Sequence, residues 1–337
     1  MYQQLWSLDK DPFSLTPDPD FLFLTGKHQE ALSALVLAVR CRKEFLVLIG
    51  DAGTGKTTLI NKLRQLSPNV RFCVIRNPTV NASEFLELVL LNFGLKDLPQ
   101  GKAKRLVLLQ EFLLTGEADR KTSVLIVDEA HKLSFELLEE VRLLANSEGP
   151  AHQLLLQVIL AGQPELLDAL ASENMQQFKQ RISLWANVGP LSKPEVPEYI
   201  KARWRRAGSD QPFPFTDDSL AAIAVQSRGI PRLINALCSG SLLCAAGAGV
   251  EVVDTALVAE ATQAINLGVP MRAQILPVVA NSKPVSIVPP PAVAPLIDPS
   301  DLVVEEETPF TFRTLERYTP ADASRKTWWK SRKDRTP

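Results

Sequence analysis

The sequence predicts an α/β fold with a doubly wound parallel sheet, followed by a small all-helical part, on three observations. Short apolar runs alternate with amphipathic stretches over residues 1–190, strand signals stop after Pro190, and helix caps and breakers punctuate residues 191–267. The runs are Phe45–Ile49, Val70–Ile75, Val124–Val127, Leu155–Leu160 and, less sharply, Leu184–Val188. Most lack apolar–polar alternation, the pattern of strands buried on both faces of a parallel sheet. His28–Cys41 places Leu32, Leu35, Val36 and Val39 on one helical stripe. Ser134–Ala145 does so with Leu137, Leu138, Val141 and Leu144, and Ser134 is placed to cap it. Past Pro190, the stretches Pro194–Ala207, Asp217–Ser227, Pro231–Ala246 and Asp254–Ile265 read as four helices. Residues 268–337 are rich in proline, with Pro289, Pro290 and Pro291 in succession, and lack periodicity, which predicts a disordered tail.

Lys and Arg total 37 against 38 for Asp and Glu, so the net charge of −1 gives no global attraction to nucleic acid or an anionic membrane. Any such contact must come from a local patch. Cys41, Cys73, Cys238 and Cys244 lie in apolar runs without metal-binding or redox spacing, and are expected to be buried thiols in a reducing compartment. The sequence begins without a basic segment and apolar h-region, and no apolar stretch approaches the roughly 20 residues of a membrane span. The expected location is cytoplasmic, with attachment at the inner membrane as a variant.

The strongest chemical signal follows the first strand. Gly50-Asp51-Ala52-Gly53-Thr54-Gly55-Lys56-Thr57 matches GxxxxGK[ST], with Thr58 next and an amphipathic helix ending before Pro68. Three glycines let the backbone curl so that successive N–H groups point inward at phosphate, and the helix adds the positive end of its dipole. Lys56 can pair with the β and γ phosphates and Thr57 can offer its hydroxyl to Mg²⁺. The loop alone leaves ATP and GTP open. Downstream, Val124-Leu125-Ile126-Val127 ends in Asp128-Glu129, the Walker B arrangement: Asp128 holds the metal through its water shell and Glu129 polarises a water. His131 makes a DEAH string, weak evidence for a helicase without its other motifs, and reads as a polar residue on the loop above the site.

With their surroundings, these residues resemble the AAA+ ATPases of the general secretion pathway protein A, or ExeA, type. The resemblance spans roughly residues 5 to 265. It rests on Pro12-Phe13, Pro17-Asp18-Pro19 with Phe21-Leu22-Phe23-Leu24, His28 with Glu30-Ala31-Leu32, the two Walker segments, Leu138-Glu139-Glu140-Val141-Arg142-Leu143-Leu144, Ala161-Gly162-Gln163-Pro164-Glu165-Leu166, Gln180-Arg181-Ile182 and Gly229-Ile230-Pro231-Arg232-Leu233-Ile234-Asn235. It implies a P-loop core of five parallel strands in the order 5-1-4-3-2, spanning residues 1–190, a helical lid over 191–267, and ATP with Mg²⁺ as ligands. Gln163 then matches the sensor-1 position, or is a turn amide. Arg232 matches the sensor-2 arginine that reaches back over the nucleotide, where a permanently charged guanidinium bridges phosphate oxygens. Asn77, ahead of Pro78, either holds Glu129 inactive until a partner arrives or is simply turn chemistry. Arg181 matches an arginine finger supplied to a neighbouring subunit, with a departure four residues on, where Trp185 replaces a second arginine that relatives commonly carry.

The resemblance further implies a homo-oligomer, such as a hexameric ring, that couples ATP hydrolysis to secretion or cell-envelope assembly. The terminal run Arg325-Lys326-Thr327-Trp328-Trp329-Lys330-Ser331-Arg332-Lys333 is either a contact for an anionic membrane surface or a solvated charge run. The rival reading is a DNA-associated AAA+ regulator similar to transposition target-selection ATPases, for which the basic cluster Arg203-Trp204-Arg205-Arg206 speaks. A third is a nucleotide-dependent scaffold with negligible turnover.

Overall fold

Residues alternate between the two faces of a strand, and in the computed structural model this assigns every apolar run two jobs. On the first strand Phe45, Val47 and Ile49 pack into one core cluster while Leu46 and Leu48 pack into another on the opposite face. The structure describes residues 2–16, 18–119, 121–149, 153–209 and 211–266. They all lie in the first of two units, Met1–Pro277 and Val278–Pro337, into which the chain divides. The expected tail at 268–337 and the basic run Arg325–Lys333 fall outside the described residues.

The strands are β1 (Phe45–Ile49), β2 (Val70–Ile75), β3 (Thr122–Val127), β4 (Leu156–Gly162) and β5 (Ile182–Asn187). They form one parallel sheet in the order β2-β3-β4-β1-β5, the expected order written from its other edge. The helices before and within this layer are α1 (Tyr2–Leu5), α2 (Gly26–Arg40), α3 (Lys56–Gln65), α4 (Ala82–Asn92), α5 (Lys102–Ala118), α6 (Phe135–Ala145), α7 (Glu165–Ala171) and α8 (Gln176–Arg181). On one sheet face lie α2 and α3, burying Leu32, Leu35, Leu59 and Leu63. The opposite face is covered by α4 to α8, through residues such as Phe85, Leu113, Val141 and Phe178. Ser134 accepts the Leu137 N–H and so caps α6 as expected, and α4 starts on a full capping box between Asn81 and Glu84.

Beyond the sheet come α9 (Glu195–Arg206), α10 (Asp217–Ser227), α11 (Pro231–Ala248) and α12 (Thr255–Asn266). Their core is shared with the start of the chain: Tyr2, Trp6, Phe13 and Phe21 pack with Tyr199, Trp204, Leu220 and Leu237. This changes the reading of the basic cluster. Arg203 is 7% exposed and donates to the carbonyls of Pro12 and Phe21, while Arg206 donates to the carbonyl of Leu22. Two of the three arginines therefore tie the N-terminal segment to α9; Arg203 is buried in doing so, while Arg205 and Arg206 stay exposed. Charge counting along the chain could not see this, because a guanidinium is buried only when distant carbonyls satisfy it.

The thiol expectation also needs correction. Cys73 and Cys238 are buried, but Cys41 is exposed at the C-cap of α2 and Cys244 is half-buried. Cys41 stands just past the last turn of α2, where the stripe that buries Leu35 and Val39 has already ended. Among the described residues no helix is long and apolar enough to cross a membrane.

Candidate functional site

The C-terminal ends of β1, β3 and β4 meet at one place, and the sequence-predicted residues converge there. Gly50 leaves β1 by donating its N–H to the Gly162 carbonyl at the end of β4. The loop then turns tightly, with Thr54 Oγ1 bonded back to the Asp51 carbonyl at 2.9 Å. Two glycines are required by neighbours: a Cβ at Gly50 would lie 2.3 Å from the Val188 carbonyl oxygen, and one at Gly53 (φ +80°) would lie 2.7 Å from Arg232 Cβ. Asp51 and Ala52 are exposed at the crest, and Thr58 is half-buried in the first turn of α3.

Lys56 is 5% exposed, and its ammonium donates to the carbonyls of Gly50 (2.7 Å) and Asp51 (3.0 Å) across the mouth of the loop. Burial pushes its pKa below the usual lysine range, and the carboxylates of Glu129, Asp128, Asp51 and Glu165 pull it back up. Thr57 Oγ1 donates to Asp128 Oδ2 at 2.8 Å, joining the loop to the end of β3. Asp128 is itself fixed by its N–H on the Ile75 carbonyl. Glu129 follows in the left-handed region (φ 58°, ψ 35°), a conformation that costs a non-glycine residue about 1 kcal/mol or more.

His131 occupies a place that its position after the DE pair only suggested. Its Nδ1 accepts the Gln163 backbone N–H at 3.4 Å, its Nε2 lies 3.1 Å from the Gln163 side-chain amide and 3.5 Å from Glu129 Oε2. The structure thus brings Gln163 and Glu129 together through a histidine. Lys132 places its ammonium 3.9 Å from Glu129 Oε2. Asn77 is not part of this group: it is exposed past the end of β2 and accepts from Thr79 Oγ1 at 3.1 Å.

Two further contacts reach the phosphate loop from outside the sheet. Arg232, in the first turn of α11, donates its N–H to the Gly53 carbonyl at 3.3 Å, which sets this exposed arginine beside the loop. His28, buried in α2, receives no chemical role from the sequence. Its ring bonds Thr25 Oγ1 through Nδ1 (2.7 Å) and the Thr54 carbonyl through Nε2 (3.1 Å). Only the three-dimensional approach of α2 to the loop reveals it, since 26 residues separate the partners. His28→Ala should leave the Thr54 carbonyl without its donor, at a cost of about 1–3 kcal/mol. In a thermal melt that is roughly 2–4 °C for each kcal/mol at this domain size. An unchanged Tm, together with unchanged amide exchange in residues 51–57, would show that the contact contributes nothing.

Arg181 lies elsewhere. It ends α8 just before β5, whose first residue Ile182 pairs with Phe45 at the start of β1. Five strand residues at roughly 3.3 Å each, about 16 Å in all, separate that end from the loop after Ile49. The guanidinium is ion-paired with Glu44, hydrogen-bonded to Asn146 Oδ1 and 5.8 Å from the Phe45 ring centre. Burial raises the Glu44 pKa even though Arg181 opposes it. Trp185, the residue that departs from the expected arginine, packs on the core from β5.

Residues 39–170 match the family described as "AAA domain". The chain is 38% identical over 251 residues to general secretion pathway protein A of Aeromonas hydrophila, covering 74% of this chain and 46% of the relative. It therefore spans about half the length of that protein. Among solved structures, Cdc6p from Pyrobaculum aerophilum superposes with a TM-score of 0.61 at 19% identity, covering 78% of this chain and 75% of that one. The RuvB Holliday junction branch migration motor of Thermotoga maritima gives 0.52 at 19%, covering 75% and 74%. At such identities these two establish a shared fold.

Proposed function

Given that the chain belongs to the AAA+ ATPases of the general secretion pathway protein A group, we propose that it binds Mg-ATP and hydrolyses it. The single observation that carries this reading is the Thr57–Asp128 hydrogen bond, which places a hydroxyl and a carboxylate side by side at the foot of a loop whose lysine is already drawn across it. A hydroxyl and one carboxylate are the sparse protein share of a Mg²⁺ site completed by phosphate oxygens and water. When bound, the metal would neutralise charge on the β and γ phosphates.

The protein's own groups do the rest. Backbone N–H groups of Gly53, Gly55 and Lys56, at the head of α3, face the phosphates, and the Lys56 ammonium exchanges loop carbonyls for phosphate oxygens. Glu129 takes the water's proton, its carboxylate aligned by His131 and the side chain of Gln163. Arg232 reaches the phosphates from α11, so that the helical part, residues 191–267 with the N-terminal segment packed in its core, acts as a lid on the nucleotide-binding remainder of residues 1–190. Arg181, far from its own loop, serves a neighbouring subunit in a homo-oligomer such as a hexameric ring. Asn77, two residues beyond the carbonyl that fixes Asp128, is the candidate switch on Glu129.

The work coupled to hydrolysis is energy transfer to a secretion or cell-envelope partner. The 38% identity to general secretion pathway protein A supports this over the DNA-associated reading. The burial of Arg203 against backbone carbonyls takes one of the three arginines out of the patch that favoured DNA. Phosphate release should therefore rise with peptidoglycan fragments or anionic vesicles and stay flat with duplex DNA. A DNA-stimulated rate that falls steeply with salt would select the rival reading, and nucleotide binding without phosphate release would select the scaffold.

A further inference from the structure

β2 is an edge strand, and its free side carries a groove of about 440 Å³ whose lining, Asn77 apart, has no role above. In a parallel ladder the N–H and C=O of one residue point to the same side, and successive residues alternate. The Ile75 carbonyl accepts from Asp128 at the end of β3, so Ile75, Cys73 and Arg71 face β3. Phe72 and Val74 consequently turn their peptide groups outward. The Val70 N–H, which also points outward, is already satisfied by the Ser67 carbonyl in the turn before the strand. What remains is a two-residue stretch of open ladder, with both side chains half-buried rather than covered.

Helices frame this stretch. Arg64 near the end of α3 borders the groove on one side, Leu88 and Asn92 of α4 on the other, and Arg76 closes its end. Phe72, Val74, Ile75 and Leu88 make half of the lining apolar, polar side chains make the other half, and none of it is acidic. Neither Arg64 nor Arg76 forms an ion pair with another described residue, in contrast to Arg105, Arg142 and Arg181, which each hold a glutamate. An exposed edge of this kind is a pairing template unless it is blocked, and edge strands are commonly blocked by charge, proline or a bulge. Here the charge is of one sign and stands beside the open peptide groups, so it repels basic strands and attracts acidic ones.

We infer that the β2 edge is a docking surface for an extended acidic segment of a partner protein, which adds to the sheet as a sixth strand. Backbone groups of Phe72 and Val74 supply its register, alternate apolar side chains fill the groove over Phe72, Val74 and Leu88, and Arg64 and Arg76 pair with its carboxylates. Asn77 itself lines the groove, so a partner seated there contacts the candidate switch.

The test uses the full chain and a fluorescein-labelled peptide of alternating glutamate and valine, with its lysine–valine counterpart as control, followed by fluorescence anisotropy. The acidic peptide should bind about tenfold or more tightly than the basic one. Exchanging both cations, Arg64→Glu with Arg76→Glu, should invert that preference. Val74→Pro removes an outward N–H and no ladder bond, which edge strands tolerate, and should weaken binding about tenfold for the lost pairing. Hydrogen exchange should show the Phe72 and Val74 amides protected by the acidic peptide. Absence of binding, unchanged preference after the double exchange, or binding without protection at those two amides would overturn the proposal. So would protection of the same amides by duplex DNA in place of peptide. If Val74→Pro fails to fold, the double exchange and the exchange data decide the question on the remaining proteins.

Discussion

Lys56→Ala should abolish nucleotide binding, whereas Glu129→Gln should retain binding and stop turnover. The asymmetry comes from where each group stands. Lys56 holds two carbonyls of the loop it would share with phosphate, so its loss removes both the charge and the brace. A charged hydrogen bond contributes about 1.5–3 kcal/mol. Two of them correspond to roughly a hundredfold to ten-thousandfold in Kd at about 1.4 kcal/mol per decade. Glu129 touches His131 and Lys132 rather than the loop, and replacing its carboxylate with an isosteric amide removes a general base worth about 10²–10⁴ in rate. Calorimetric titration of nucleotide, run beside single-turnover hydrolysis, separates the two effects. Equal loss of affinity in both variants would contradict the division of roles.

A comparable effect is expected at Arg181, with the difference that it should be recoverable. Arginine fingers in other nucleotide hydrolases contribute about 10³–10⁵ in rate. Neither Arg181→Ala nor Lys56→Ala should turn over alone, yet a mixture can form interfaces joining an intact loop to an intact arginine. Phosphate release should reappear in proportion to those mixed interfaces. The pair with Glu44 calls for a control, because removing Arg181 leaves a carboxylate whose pKa burial already raises. Glu44→Gln with Arg181 intact shows what the broken pair does to folding on its own. An Arg181→Ala protein that assembles and hydrolyses at the wild-type rate would remove this residue from the site and direct attention to Trp185.

Local chemistry makes the core of the site legible in the amino-acid sequence. Unalternating runs announce the sheet, and the loop residues 50–57 have meaning at fixed spacing because consecutive peptide groups form the cradle. Asp128 and Glu129 are readable for the same reason: they end a strand. What the chain order hides are contacts between distant segments. His28 is an ordinary helix residue until α2 approaches Thr54, and His131 is a loop residue until β4 brings Gln163 against it. Arg203 of α9 resembles a surface residue because linear charge says nothing about burial, and Cys41 resembles a core residue because it directly follows the apolar stripe of α2, although Arg40 and Arg42 flank it.

The way α9 holds the start of the chain bears on how this protein can be cut. The family match begins at residue 39, inside α2, and a fragment designed on it would discard Thr25, His28, Leu32 and Leu35 from the layer behind β1. It would also end before the helices that enclose Phe13 and Phe21. Starting a little earlier does not help, because any fragment that keeps α9 but lacks residues 12–22 loses two carbonyl acceptors of Arg203 and uncovers the apolar core that Phe13 and Phe21 close. The boundary of recognisable similarity and the boundary of a folding unit thus fall in different places, and expression trials should treat residues 2 to 266 as indivisible.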